Sequence, residues 1–316
     1  MSSTEVTLPH VGTAGVGSRL LGLLRRRETS ILAALLVMVV ATAAVSPTFV
    51  FSADGWRNLL LNPAIYMVLA IGVAFVIITR SVDLSVGSTM GLTAFLVGSV
   101  YIAWPSMPAV VAFLLGTAFG ALLGLLNGGL VAVAKVPGMV ITLGTMYIFR
   151  GVNILWAGST RINASQMGED FLAFGNAQVV GIPALTILAV AVLLVAAWYL
   201  HNTRSGRELY AIGSAPEAAE LYGLPVRQRM LMSFVVSGAM AGLAGVMFAA
   251  RYGTIASNAG TGYELQAIGA AVIGGVAITG GSGTVIGAAF GAILLATINS
   301  ALPVLGIQSF WQRAEI

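Results

Sequence analysis

The chain has 316 residues, 58% of them hydrophobic and only 8% charged, with a mean hydropathy of +0.96 and a formal net charge of +4. Soluble domains carry roughly 45–50% apolar and about 25% charged residues, so a soluble globular protein is excluded and an all-α, polytopic helical membrane protein is expected. Zero cysteines exclude disulfides and thiol ligands. His10 and His201 lie too far apart for an HExxH zinc site, and Lys135 follows Ala134, so no Gly-Lys-Ser/Thr phosphate loop exists. No catalytic residue, metal or cofactor is therefore expected in this chain, and any ATP and magnesium would be held by another subunit. The small positive charge, concentrated in short loops, sets topology and does not point to nucleic acid.

Residues 1–29 are polar, end near Arg25-Arg26-Arg27 and show no cleavable signal pattern; they read as a cytoplasmic segment ahead of a membrane domain over 30–316. A spanning helix needs about 20 apolar residues, which places nine spans near 30–49, 63–79, 86–104, 107–134, 138–157, 179–200, 229–250, 264–279 and 284–305. The fourth is long enough to tilt or kink, while 86–104 and 264–279 are short or glycine-broken and suit discontinuous helices. With the amino terminus inside, Arg19, Arg25, Arg26, Arg27, Arg80, Lys135, Arg204, Arg207, Arg227 and Arg229 face the cytoplasm, against Arg57, Arg161, Arg251 and Arg313 outside, as the positive-inside rule requires. Glycines at small-residue spacing, Gly116, Gly120 and Gly124, then Gly238 and Gly242, let helices pack closely, either inside one bundle or between two copies.

In chain order, Asp83 precedes an apolar span, where it can cap the first turn against the helix dipole and pair with Arg80. Asn127, Thr142, Thr145 and Asn153 are polar positions within spans, as are Gln266, Thr297, Asn299 and Ser300; each either bonds between helices or faces a polar solute. Arg150 lies between Met146-Tyr147-Ile148-Phe149 and Gly151-Val152-Asn153. An arginine at mid-span costs at least about 2.5–3.5 kcal/mol, so it lines an aqueous path, ties to Asp83 or another acid, or sits at an interface on a broken helix. In the loop 201–230, Ser214-Ala215-Pro216-Glu217 reads as a capping box with proline in the first turn. The helix it starts runs through Ala218 and Ala219 to Tyr222 and stops at Gly223, with Pro225 beyond. Two turns are marginal in water, so this helix needs something to pack against. Carboxylates within the membrane are nearly missing, with Asp83 and Glu264 at span ends, which weakens an ion-coupled mechanism.

These residues resemble the membrane permease subunits of bacterial ATP-binding-cassette sugar importers, of the ribose, xylose, galactoside, rhamnose and autoinducer-2 type. The resemblance covers nearly the whole chain from about Ser30. It rests on Val82-Asp83-Leu84-Ser85-Val86-Gly87-Ser88, on Leu125-Leu126-Asn127-Gly128 leading to Val136-Pro137, and on Thr142-Leu143-Gly144-Thr145-Met146 with Arg150-Gly151. It rests equally on Gly206-Arg207-Glu208-Leu209-Tyr210 with Pro216-Glu217-Ala218-Ala219, on Gly269-Ala270-Ala271-Val272-Ile273-Gly274-Gly275, and on Gly280-Gly281-Ser282-Gly283-Thr284. Glu217-Ala218-Ala219 with Gly223 looks like the loop whose short helix seats in a cleft of the ATPase.

The resemblance implies a cytoplasmic ATPase, a periplasmic solute-binding protein and a second permease copy or paralogue as partners, in the bacterial inner membrane. It implies as cargo a pentose, a deoxyhexose or a related signal, with branched-chain amino acids and nucleosides ranked lower. The rivals are an ion-coupled secondary transporter or channel that works without an ATPase, and a membrane scaffold that transports nothing. Two departures stand out. Members usually have a glycine pair ahead of the aspartate, where this chain has Arg80-Ser81, and they continue past Trp311-Gln312 into a tenth span, whereas this sequence ends at Ile316.

Overall fold

Hydrocarbon offers the backbone no partner, so a chain this apolar satisfies its peptide groups within helices. The structure, a computed structural model, describes residues 27–134 and 136–307; the polar amino-terminal stretch through Arg26, Lys135 and the Trp311-Gln312 region lie outside them. Thirteen helices follow in order: α1 Arg27–Val45, α2 Thr48–Phe51, α3 Ala53–Ile78, α4 Val86–Ala103, α5 Ala109–Ala134, α6 Gly138–Ala157, α7 Glu169–Asn176, α8 Ala184–Asn202, α9 Arg204–Ser214, α10 Pro216–Leu221, α11 Val226–Tyr252, α12 Tyr263–Ile273 and α13 Val285–Val304. Among the described residues, seven of them, α3, α4, α5, α6, α8, α11 and α13, are long and apolar enough to cross a membrane.

The nine expected spans map onto these seven plus α1 and α12, with three corrections. The span expected from 63 begins ten residues earlier at Ala53, because the Ser52 hydroxyl accepts the Gly55 N–H at 2.9 Å and starts the helix there. Arg57, Asn58 and Asn62 dilute the hydropathy of those turns, and Pro63 is carried inside the helix. The span expected from 179 begins at Ala184, because Gln178–Val179 and Ile182–Pro183 form a two-stranded antiparallel hairpin, β1 and β2. Its two central residues, Val180 and Gly181, both have positive φ, the conformation a tight hairpin turn requires. Of the two segments expected to be discontinuous, 86–104 is one continuous helix, whereas 264–279 is broken: α12 has eleven residues and stops at Ile273.

Helix α3 is the axis of the fold. From Ala64 to Ile78 its apolar side chains, apart from the partly buried Tyr66, are almost wholly buried, as a helix that is hydrophobic all round must be. Helix α11 packs against α3, α4 and α5. Its contact with α5 answers the question left open by the glycine spacing: a Cβ on Gly120 would meet the Gly238 carbonyl, and one on Gly242 would meet the Gly116 carbonyl. The small-residue stripe is spent on one helix pair within the bundle, where close backbone approach supplies the dispersion contacts that hold helices together in lipid.

Candidate functional site

Two non-helical segments are drawn into the bundle, and α6 holds both. The first is the 79–85 turn between α3 and α4. Asp83, 1% exposed, accepts the Ser85 N–H at 2.9 Å, the Ser85 hydroxyl at 2.7 Å and the Ser237 hydroxyl of α11 at 2.8 Å. Asn127 of α5 donates to the Ser85 hydroxyl at 2.7 Å. Thr142 of α6 donates to the Val82 carbonyl and accepts the Leu84 N–H, both at 3.1 Å. Three helices thus grip one turn, and the carboxylate stands just ahead of α4, where the helix dipole favours an anion.

The expected Arg80–Asp83 pair is not formed. Arg80 is exposed and occupies the left-handed position that ends α3, with φ 64°. Its N–H bonds the Ile77 carbonyl and the Ser81 N–H bonds the Val76 carbonyl, the hydrogen-bond pair of a Schellman end. A glycine would take this left-handed conformation without strain.

The second segment, 253–262, leads from α11 to α12. Asn153 of α6 donates to the Ser257 carbonyl at 2.9 Å, and Arg150 of α6 bonds Glu264 in the first turn of α12 at 3.0 Å. Arg150 therefore finds its acid in Glu264, not in Asp83. Thr142, Thr145, Asn153 and the partly buried Arg150 lie on one helical face, and that face stitches both segments. The first turn of α4 passes between them, since a Cβ on Gly87 would strike Glu264 Oε2 and the Gly260 carbonyl. Four buried oxygens around these segments, Asn127 Oδ1, Asn153 Oδ1, Glu264 Oε2 and Gln266 Oε1, have no hydrogen-bond partner among the described residues. All four are acceptors.

Thr145 donates only within its own helix, to the Thr142 carbonyl at 3.3 Å, and Asn299 is half-buried on α13 outside both clusters. Ser237 was not legible as a site residue, since one serine in an apolar helix carries no pattern. Glu264 had a signal: it is the other acid at a span end, and a membrane arginine needs one.

The loop 201–230 is built differently from its sequence reading. Thr203 caps a whole helix, α9, by accepting the Gly206 N–H at 3.0 Å, and that helix continues through Ser214. Ser214 is consequently the last residue of α9, and Ala215 stands at the start of α10 with no side-chain cap, so the capping box is not formed. Pro216 opens α10 with Glu217 in its first turn, placements that suit a proline's missing N–H and the helix dipole. The helix ends as expected at Gly223, φ 74°, with the Leu224 N–H on the Ala219 carbonyl and the Gly223 N–H on that of Glu220.

Helix α9 is fastened at both ends. Glu208 accepts from Arg204 at 2.8 Å and from Arg229 of α11 at 2.6 Å. The Arg229 hydrogen bond, with Arg204 adding to it, holds the Glu208 carboxyl below its ordinary range against the opposing effect of burial. At the other end Gly213 lies against the Ile78 carbonyl and the Gly281 N–H, which bond each other at 2.9 Å, and the Tyr210 hydroxyl donates to the Gly283 carbonyl at 3.0 Å. The end of α3, the end of α9 and the 280–283 turn form one knot. From it α10 projects with Ala219 buried, Ala218 half-buried and Glu217, Glu220, Leu221 and Tyr222 exposed, the last two at 89% and 86%.

Residues 55–314 match the family described as branched-chain amino acid transport system / permease component. The chain belongs to this family. Among its relatives is the autoinducer 2 import system permease protein LsrC of Enterobacter sp. (strain 638), 35% identical over 289 residues that cover 92% of this chain and 83% of the relative. The protein of that name from Salmonella typhi is 39% identical over 286 residues, 90% of this chain and 81% of the relative. The ribose import permease protein RbsC of Escherichia coli (strain K12) is 35% identical over 288 residues, 90% of this chain and 88% of the relative. No solved structure matches. The chain is thus a multi-pass membrane permease of the ATP-binding-cassette sugar importer type.

Proposed function

We propose that this permease forms the translocation path for a small polyhydroxylated solute, a pentose, a deoxyhexose or a signal related to autoinducer-2. A solute-binding protein delivers it outside, and a cytoplasmic ATPase that holds ATP and magnesium drives transport. The chain itself catalyses no covalent chemistry. It works beside a second copy or a paralogue in the bacterial inner membrane, amino terminus inside, with the α9–α10 end in the cytoplasm.

The observation that carries this reading is the projection of α10 from the knot. A six-residue helix has no stability of its own in water, and Leu221 and Tyr222 at its tip are apolar, exposed and outside any span. A groove on the ATPase would supply the packing that its length cannot. Through Gly213, Ile78 and Gly281, movement of α10 reaches the Arg80–Asp83 turn on one side and α12 on the other, so closure of the ATPases would rock the two segments that α6 holds. The choice of solute is supported by the relatives, an autoinducer 2 permease and a ribose permease.

The test is solute uptake and ATP hydrolysis in vesicles carrying this chain with the ATPase and binding protein of its operon, comparing the wild type with Glu217→Arg and Gly223→Pro. Uptake that needs all three components and is lost in both variants is the expected result. Uptake that proceeds without the ATPase under an ion gradient would establish a secondary transporter instead.

A further inference from the structure

A cavity of about 690 Å³ opens at the same end of the bundle, between the last turns of α8, the body of α9 and the start of α13. Its walls are Ala197, Leu200, Val285 and Ile286; its rim carries Trp198, His201, Arg207 and Tyr210, and no carboxylate lines it. Arg207 is the exposed cation here. The acid next to it in sequence, Glu208, is already held by Arg204 and Arg229, and Arg207 makes no ion pair among the described residues, touching the His201 carbonyl at 3.4 Å. Trp198 stands 61% exposed where a spanning helix runs into basic loop residues, the level at which tryptophan marks the boundary between acyl chains and headgroups.

We propose that this cavity is a binding site for an anionic phospholipid, its phosphate on Arg207 and its acyl chains on the apolar wall below Trp198. Charge complementarity selects the occupant: an apolar wall alone would accept any lipid, whereas an unmatched arginine above it, at headgroup level, favours one with net negative charge. The lipid bridges α8, α9 and α13, and so braces the knot from which α10 projects. The site requires only that the chain sits in a bilayer, so it stands or falls separately from the nature of the solute.

The experiment keeps Trp198 as the sole tryptophan by changing the other four to Phe and reads its quenching in vesicles doped with brominated phosphatidylglycerol or brominated phosphatidylcholine. One cation near the surface supports a preference of about fivefold, so half-maximal quenching is expected at about a fifth of the mole fraction for phosphatidylglycerol. Arg207→Gln removes that preference while quenching by phosphatidylcholine stays as it was, and Arg161→Gln, at a separate exposed position, leaves both unchanged. Equal quenching by the two lipids in the parent protein, a preference that survives Arg207→Gln, or a Trp198 that neither lipid reaches because protein fills the cavity would each overturn the proposal.

Discussion

Arg150 and Glu264 meet at 3.0 Å, joining α6 to the first turn of α12 across 114 residues of sequence. The pair fastens the start of a short helix, where Tyr263 also stacks on Tyr66 at 4.9 Å, and it is largely withdrawn from water, with the Glu264 side chain 9% and the Arg150 side chain 22% exposed. Removing one partner from such a pair leaves the other desolvated and alone, the costliest arrangement. Arg150→Met should lower stability by about 3 kcal/mol, and the double variant with Glu264→Gln should recover part of the loss. Thermal unfolding in detergent checks this; a double variant no better than the single one would show that the charges do not face each other.

Where α5 crosses α11 the backbones touch through glycine. Gly120→Leu should prevent that approach and yield little folded protein. Gly129→Leu, on the same helix with nothing within 4 Å of where its Cβ would stand, should be tolerated. Comparing the monodisperse yield of the two variants by size-exclusion chromatography is sufficient.

Arg80 holds a left-handed backbone that costs a non-glycine residue roughly 1–2 kcal/mol. Arg80→Gly should therefore raise the thermal midpoint, since the position carries no ion pair among the described residues whose loss would offset the relief. A lower midpoint would mean that the Arg80 side chain contributes more than its backbone costs.

Glu208 gives the loop a defined pH response. Its carboxyl is held below the ordinary range by Arg229 and Arg204, so the stabilisation is fully present above the unfolded value near 4.5 and is lost as pH falls through the lower folded value. Protease sensitivity of the 201–230 loop should rise on acidification below about pH 4.5 in the wild type. In Glu208→Gln it should be high at neutral pH and change little on acidification.

Gly213 admits no side chain between the Ile78 carbonyl and the Gly281 N–H. Gly213→Ala should push α9 off the end of α3, at about 1–3 kcal/mol, and reduce uptake more than ATPase binding, because the link fails behind the docking helix and not at it. Pull-down of the ATPase alongside uptake separates the two effects.

Much of this architecture is legible from residue order. Hydropathy located every long helix, since lipid makes length and apolarity the deciding variables, and Gly223 ended α10 because a left-handed position calls for glycine. What failed was local pattern matching at polar boundaries. Ser214 looked like a cap because serine, proline and glutamate stand at the right spacing, yet Thr203 had started a helix eleven residues earlier that ran through it. Arg57, Asn58 and Asn62 hid the beginning of α3 because a hydropathy window weighs them as if they faced lipid.

By itself the sequence determined that this is a membrane bundle, roughly where it crosses, and where its short loop helix ends, because these follow from transfer energies and backbone conformation along the chain. Only the tertiary structure decided which partners the buried polar groups take. Arg150 chose Glu264, Asp83 chose Ser85 and Ser237, and the glycine stripe of α5 chose α11, since each depends on which helices lie side by side, and hydrophobic period says nothing about neighbours.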